Sequence, residues 1–168
     1  HVFVEKPLAL NRGELEAIVE VYLCPALPTG GEPGVMANIL HVGFNRRFAP
    51  LMQQIKQLLQ NRTQPLAMLM TVNAGAIPRD HWIQDPEVGG GRIIGEACHF
   101  IDLLAYLADA PILGVWAHTM GKSGTQCWDD VVSIVLHFAD GSLGTVHYFA
   151  NGHRSYPKER LEVFSEGR

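Results

Sequence analysis

The chain has 168 residues, 47% of them hydrophobic, and a formal net charge of -4 from 13 Lys+Arg against 17 Asp+Glu. It is long enough for one sizeable core. No apolar run approaches the ~20 residues of a membrane helix, and the slightly acidic balance argues against a nucleic-acid surface. Cys24, Cys98 and Cys127 are odd in number and form no CxxC pair. Reduced thiols of a cytoplasmic protein are therefore expected, rather than disulfides or a zinc site, with Cys98 packing as a small apolar side chain.

Val2-Phe3-Val4 is short, continuous and apolar, as for a parallel strand covered on both faces. It opens the chain without a preceding turn, and Leu161-Glu162-Val163-Phe164 runs out near the other end, so the sequence reads as a fragment. Glu5-Lys6-Pro7 follows the first strand, at the carboxyl end where open α/β sheets place their ligands. Asn11 is a good N-cap with Glu14 three residues on, and Leu15, Ile18, Val19 and Tyr22 give a helical apolar face. A loop rich in Pro and Gly over 24–34 leads to a strand over 38–44. Strand, helix, strand is a βαβ unit, the tail of a parallel α/β domain.

Arg46 and Arg47 stand at the junction between this unit and the second one. They suit either a cofactor phosphate or substrate carboxylate, or a domain-junction ion pair. A helix beginning near Pro50 has Leu51, Ile55, Leu58 and Leu59 as its apolar stripe, and residues 65–73 read as a strand opening a second sheet. The loop 75–87 carries Arg79, His81 and Trp82, of the kind that lines sugar sites, because an indole stacks on a pyranose face; core packing is the alternative for Trp82. Strands are expected over Ile112–Met120, 131–138, 142–149 and 160–164, with Ala139-Asp140-Gly141 as a hairpin turn. The order of elements divides the chain into 1–45, α/β, and 46–168, α+β with a large, mainly antiparallel sheet.

Between the two halves of the second unit lies the run Gly89-Gly90-Gly91 and an expected helix in which Glu96, His99 and Asp102 recur every third residue. They form a polar stripe opposite Ile94, Ala97, Ile101, Leu104, Ala105 and Ala108. Imidazole titrates near neutrality and carboxylates tune it, so the stripe is a candidate acid–base site; a solvated helix face is the alternative. The glycines do not have GxGxxG spacing after a strand. His99 has no clustered His or Cys partners, and no metal site is expected.

Glu5-Lys6-Pro7, Val42-Gly43-Phe44-Asn45-Arg46-Arg47-Phe48, the glycine run with His99 and Asp102, and Phe138-Ala139-Asp140-Gly141-Ser142 together resemble the glucose–fructose oxidoreductase/inositol dehydrogenase (Gfo/Idh/MocA) family. The wording Trp82-Ile83-Gln84-Asp85-Pro86-Glu87-Val88 is similar to a branch with bi-domain sugar oxidoreductases. The resemblance implies a truncated Rossmann domain followed by a dihydrodipicolinate reductase-like C-terminal domain whose sheet forms the substrate site and an oligomer interface. It implies NAD or NADP as cofactor of the intact protein and a sugar, cyclitol or sugar nucleotide as substrate. Lys6 falls at the family's lysine near the nicotinamide, Pro7 at its turn, in some members a cis peptide, and Glu5 near the nicotinamide ribose. His99 falls at the family's histidine, and either it or Lys6 is the base. Many members carry an Asp where this chain has Gly95, and Glu96 stands one residue later. Asp102 matches a following acidic position, where it either orients the imidazole or pairs elsewhere.

Without a glycine-rich dinucleotide loop, the isolated chain is expected to bind no nicotinamide and to be inactive alone. The competing expectation is a non-catalytic dimerising or sugar-binding module built on the same fold.

Overall fold

The computed structural model describes residues 1–23, 39–121 and 128–167. The 24–34 loop, Cys24, Cys127 and most of the expected loop after Met120 lie outside them. Strand β1 (Val2–Val4), helix α1 (Arg12–Leu23) and strand β2 (Leu40–Val42) form the expected strand–helix–strand unit. β1 and β2 pair in parallel, Phe3 opposite His41. Asn11 caps α1 through its Oδ1, which accepts from the Glu14 amide at 3.0 Å, while Glu14 Oε2 accepts from the Leu10 amide at 2.8 Å. The strand is not covered on both faces. Val2 and Phe3 are 58% and 63% exposed, because a two-stranded sheet carries no second layer there among the described residues. The Phe3 ring stacks instead on His41, centroids 5.4 Å apart.

A 3-10 turn (Asn45–Phe48) leads into helix α2 (Pro50–Leu59), with proline at its first position where no amide hydrogen is needed. The face of α2 that packs is Met52, Ile55 and Leu59; Leu51 and Leu58 are exposed. At about 100° per residue, positions i, i+3 and i+7 share a face, and residues 51 and 58 lie to one side of it.

The second sheet contains β3 (Ala67–Asn73), β4 (Ile112–Met120), β5 (Trp128–Phe138), β6 (Leu143–Phe149) and β7 (Glu159–Phe164) in the order β4-β5-β6-β3-β7. Only β3 and β6 run parallel; the other three pairings are antiparallel. The β5–β6 turn is held by Asp140, whose Oδ1 accepts from the Ser142 amide at 3.0 Å, and the buried Ser142 hydroxyl in turn accepts from the Leu66 amide at 2.8 Å.

One face of this sheet is the core. Met68, Met70, Leu136, Val146 and Tyr148 point into it and meet Phe100, Leu103, Leu104 and Leu107 of helix α3 (Cys98–Ala108). Each large apolar side chain removed from water there contributes roughly 1.5–3 kcal/mol. The helix differs from the expected regular one. A π-helical turn (Ile93–Ala97) precedes it, and the wider turn shifts the phase of the residues before His99. Ala97, Leu104 and Ala108 are buried as expected, but Phe100, Leu103 and Leu107 complete the core face and Ile94 is 40% exposed. Among the described residues no helix is long and apolar enough to cross a membrane.

Candidate active site

The carboxyl ends of β1 and β2 meet the π-helical turn and the first turn of α3. Lys6, two residues past β1 and joined to Pro7 by a cis peptide, sends its ammonium to the Gly95 carbonyl at 2.7 Å. In a π-helical turn the carbonyls are offset from the usual i to i+4 ladder, and Gly95 offers its oxygen to the lysine. Phe44, past the end of β2, places its ring edge-on to the His99 imidazole, centroids 6.1 Å apart. His99 is 7% exposed and its Nδ1 has no hydrogen-bond partner. Burial first, then the Arg46 and Lys6 charges, lower its pKa to about 4, so the ring is neutral at physiological pH.

The three polar residues of the expected stripe therefore part company. His99 is buried, not solvated. Asp102 is paired elsewhere: its carboxylate takes two hydrogen bonds from Arg47, one of them Nε to Oδ2 at 2.6 Å, which raises the Arg47 pKa. Glu96 turns toward the sheet, where its Oε2 accepts from the Tyr148 hydroxyl and from Arg92 Nη2. Burial pushes the Glu96 carboxyl up, but those two donors outweigh it and leave it below the usual carboxylate range.

Arg46 is likewise committed to a carboxylate, Glu159 on β7, with Nη2 at 2.6 Å and Nε at 3.2 Å, and its guanidinium lies 4.5 Å over the Phe100 ring. Both arginines are ion-paired within residues 46–168, Arg46 with Glu159 and Arg47 with Asp102. Glu5 is exposed, and a side chain at Gly43 would come within 3.2 Å of its Oε2. Arg79 and Trp82 are exposed on the loop before the glycine run, with His81 capping the short turn Trp82–Gln84. A pocket of about 310 Å3 opens between β2 and α3, lined in part by Phe44, Arg47 and Asp102.

Arg92 is the residue the sequence does not announce. It is 4% exposed and donates to the Gly75 carbonyl at 2.6 Å and the Ala74 carbonyl at 3.2 Å. The only hint is its spacing, four residues before Glu96. Among the described residues there is no group of three or more His, Cys, Asp or Glu able to hold a metal ion.

Residues 52–167 match the model of the GFO/IDH/MocA C-terminal domain. The chain belongs to that family. It is 30% identical to a myo-inositol 2-dehydrogenase of Thermotoga maritima over 178 aligned positions, which cover 100% of the chain and 48% of the relative. It is 32% identical to inositol 2-dehydrogenase 2 of Saccharopolyspora erythraea, over 92% of the chain and 42% of that protein. The chain thus spans about half the length of the curated relatives it matches. Among solved structures, a probable dehydrogenase from Thermotoga maritima superposes with a TM-score of 0.68 at 26% identity, over 99% of the chain and 47% of that one. The WlbA dehydrogenase from Bordetella pertussis, in complex with NADH and UDP-GlcNAcA, shares the fold at a TM-score of 0.73 and 20% identity, over 99% and 46%. These Gfo/Idh/MocA relatives place the five-stranded sheet and α3 in a dehydrogenase C-terminal domain.

Proposed function

We propose that this chain forms the substrate-facing part of an NAD(P)-dependent oxidoreductase that oxidises a secondary hydroxyl of a sugar, cyclitol or sugar nucleotide. The observation that carries it is the Lys6 ammonium on the Gly95 carbonyl next to a buried, neutral His99 whose Nδ1 is unpartnered. A donor and an acceptor so placed fit the two ends of a hydroxyl that is losing its proton. The orphaned Nδ1 fits the reacting end of a nicotinamide site, while the chain holds no GxGxxG loop for a pyrophosphate. When bound, NAD or NADP supplies the hydride acceptor.

His99 takes the hydroxyl proton, since a neutral imidazole has a free lone pair to receive it. Lys6 uses one ammonium hydrogen on Gly95 and directs another to the developing alkoxide. Pro7 fixes the turn that aims Lys6, and Glu5 lies on the ribose side of the same strand end. Asp102 holds Arg47, keeping α3 against the turn after β2, Arg46 holds Glu159 on β7, and Arg79 and Trp82 border the substrate from the loop. Residues 1–45 then belong to the dinucleotide-binding domain and 46–168 to the substrate domain. Expected for the full-length protein is a loss of ~10²-fold or more in kcat for either Lys6→Ala or His99→Ala. Turnover is measured with NAD and NADP on myo-inositol and UDP-sugars, with circular dichroism unchanged. Full activity in both variants would overturn this reading, and turnover by the isolated chain would overturn its expected inactivity.

The second face of the five-stranded sheet supports a further role, self-association. Trp116 is 58% exposed and Leu143 47% on that face, where residues of β4, β5 and β6 alternate with the core set. A second copy of the chain covers this face in the assembled protein.

A further inference from the structure

Arg92 is an expensive side chain to bury, and it lies against two carboxylates, Glu96 and Asp130. Its guanidinium is 3% exposed, bonded to the carbonyls of Ala74 and Gly75, stacked 5.4 Å over the Tyr148 ring and 3.8 Å from the Asp130 carboxylate. A buried cation is costly unless it is paired and hydrogen-bonded. Its Nη2 also donates to Glu96 Oε2 at 3.3 Å while its Nε is buried without a partner, and the fully buried Tyr148 gives its hydroxyl to the same oxygen. The other carboxylate oxygen, Oε1, takes no hydrogen bond among the described residues, and the Glu96 side chain is 36% exposed. Glu96 is the residue after Gly95, whose carbonyl holds Lys6. Two buried donors thus pin one oxygen and leave its twin open on the same turn that seats the lysine.

We propose that Arg92 and Tyr148 are positioning residues that fix Glu96 so that its free oxygen accepts a hydroxyl of a neutral polyol ring, next to the hydroxyl held by Lys6 and His99. The proposal rests on the oxidoreductase reading of Lys6 and His99. An ionised carboxylate is an acceptor only, so the ligand group it meets must be a donor, and a charge-assisted bond there fixes which way round the ring enters. Substrates lacking that hydroxyl leave the carboxylate desolvated and unpaired, which is a strong source of discrimination.

The test is steady-state kinetics on the full-length protein with whichever of myo-inositol, glucose and UDP-N-acetylglucosamine it oxidises, alongside the monodeoxy analogues of that compound. For wild type, one deoxy position raises KM ~10-fold or more. In Glu96→Gln, Tyr148→Phe and Arg92→Lys the KM of the parent compound rises by a similar factor, and the penalty for the deoxy analogue shrinks to near unity. Tyr148→Phe keeps the ring in the core, so its melting temperature serves as the control for folding. A deoxy penalty that survives undiminished in all three variants overturns the proposal while leaving the Lys6 and His99 reading intact. Oxidation of none of the three compounds by wild type overturns both.

Discussion

Burial and the neighbouring Arg46 and Lys6 charges hold His99 neutral in the folded chain, with a pKa of about 4 against about 6.5 unfolded. The folded state therefore binds fewer protons than the unfolded state throughout that interval, and stability falls as pH falls through it. The loss begins near pH 6.5, is complete below about pH 4, and is on the order of 3 kcal/mol for a group this buried. Urea unfolding at pH 7 and pH 4 should show wild type losing that much more than His99→Gln, whose amide does not titrate. Equal losses would mean the imidazole is protonated in the native state. The sequence made His99 visible through its spacing from Glu96 and Asp102, yet it could not tell a solvated stripe from a buried ring. What decides this is Phe44, just past β2 and 55 positions earlier, packed against the imidazole. Arg92 stayed hidden for the complementary reason. A lone arginine after three glycines looks solvated, and only the tertiary approach of Ala74, Gly75 and Tyr148 buries it.

The π-helical turn Ile93–Ala97 is the element that separates the polar residues, and two glycines make room for it. A Cβ on Gly95 would stand 3.0 Å from the Gly89 carbonyl oxygen and 3.2 Å from Ile83 Cδ1, while one on Gly89 would overlap the Ile83 backbone. A flexible side chain can yield by a few tenths of an ångström, whereas backbone cannot without moving the turn. Gly95→Ala should therefore cost about 1–3 kcal/mol by overpacking, and Gly89→Ala more. Thermal melts of the two variants check the order; a Gly89→Ala variant as stable as wild type would show that the 83–89 loop does not press on the turn. The strands, the cap at Asn11 and the Asp140 hairpin were all legible, because local chemistry settles them: a side-chain oxygen near a free amide, an alternating run, a turn residue. A π-helical turn has no such marker. It is accommodated by the close approach of Gly89 and Gly95 to Ile83, which no period in the chain reports.

At the scale of the molecule, long-range contacts tie the parallel pair and the residue just past it to α3 and the turn before it: Lys6 to Gly95, and Phe44 to His99. The order of elements announced both units, since a strand–helix–strand followed by strands with hairpin turns permits few topologies. It could not say which apolar residues would be left uncovered, because alternation marks two faces of a strand without saying what lies on each. On the open face Trp116 pairs with the half-buried Val135, Val135 with Thr145 and Leu143 with His137, so a strip mixing apolar and polar side chains crosses β4, β5 and β6. If copies associate through this face, a two-fold axis would bring Trp116 and Val135 against their own equivalents or near neighbours. Introducing a charge at the centre of that strip, as Val135→Glu, places like charges close together in such a dimer and leaves the core face untouched. Light scattering should find wild type larger than one chain and Val135→Glu reduced to a monomer with an unchanged melting profile at low concentration. A monomeric wild type, or a variant that still associates, would show that this face is not where copies meet.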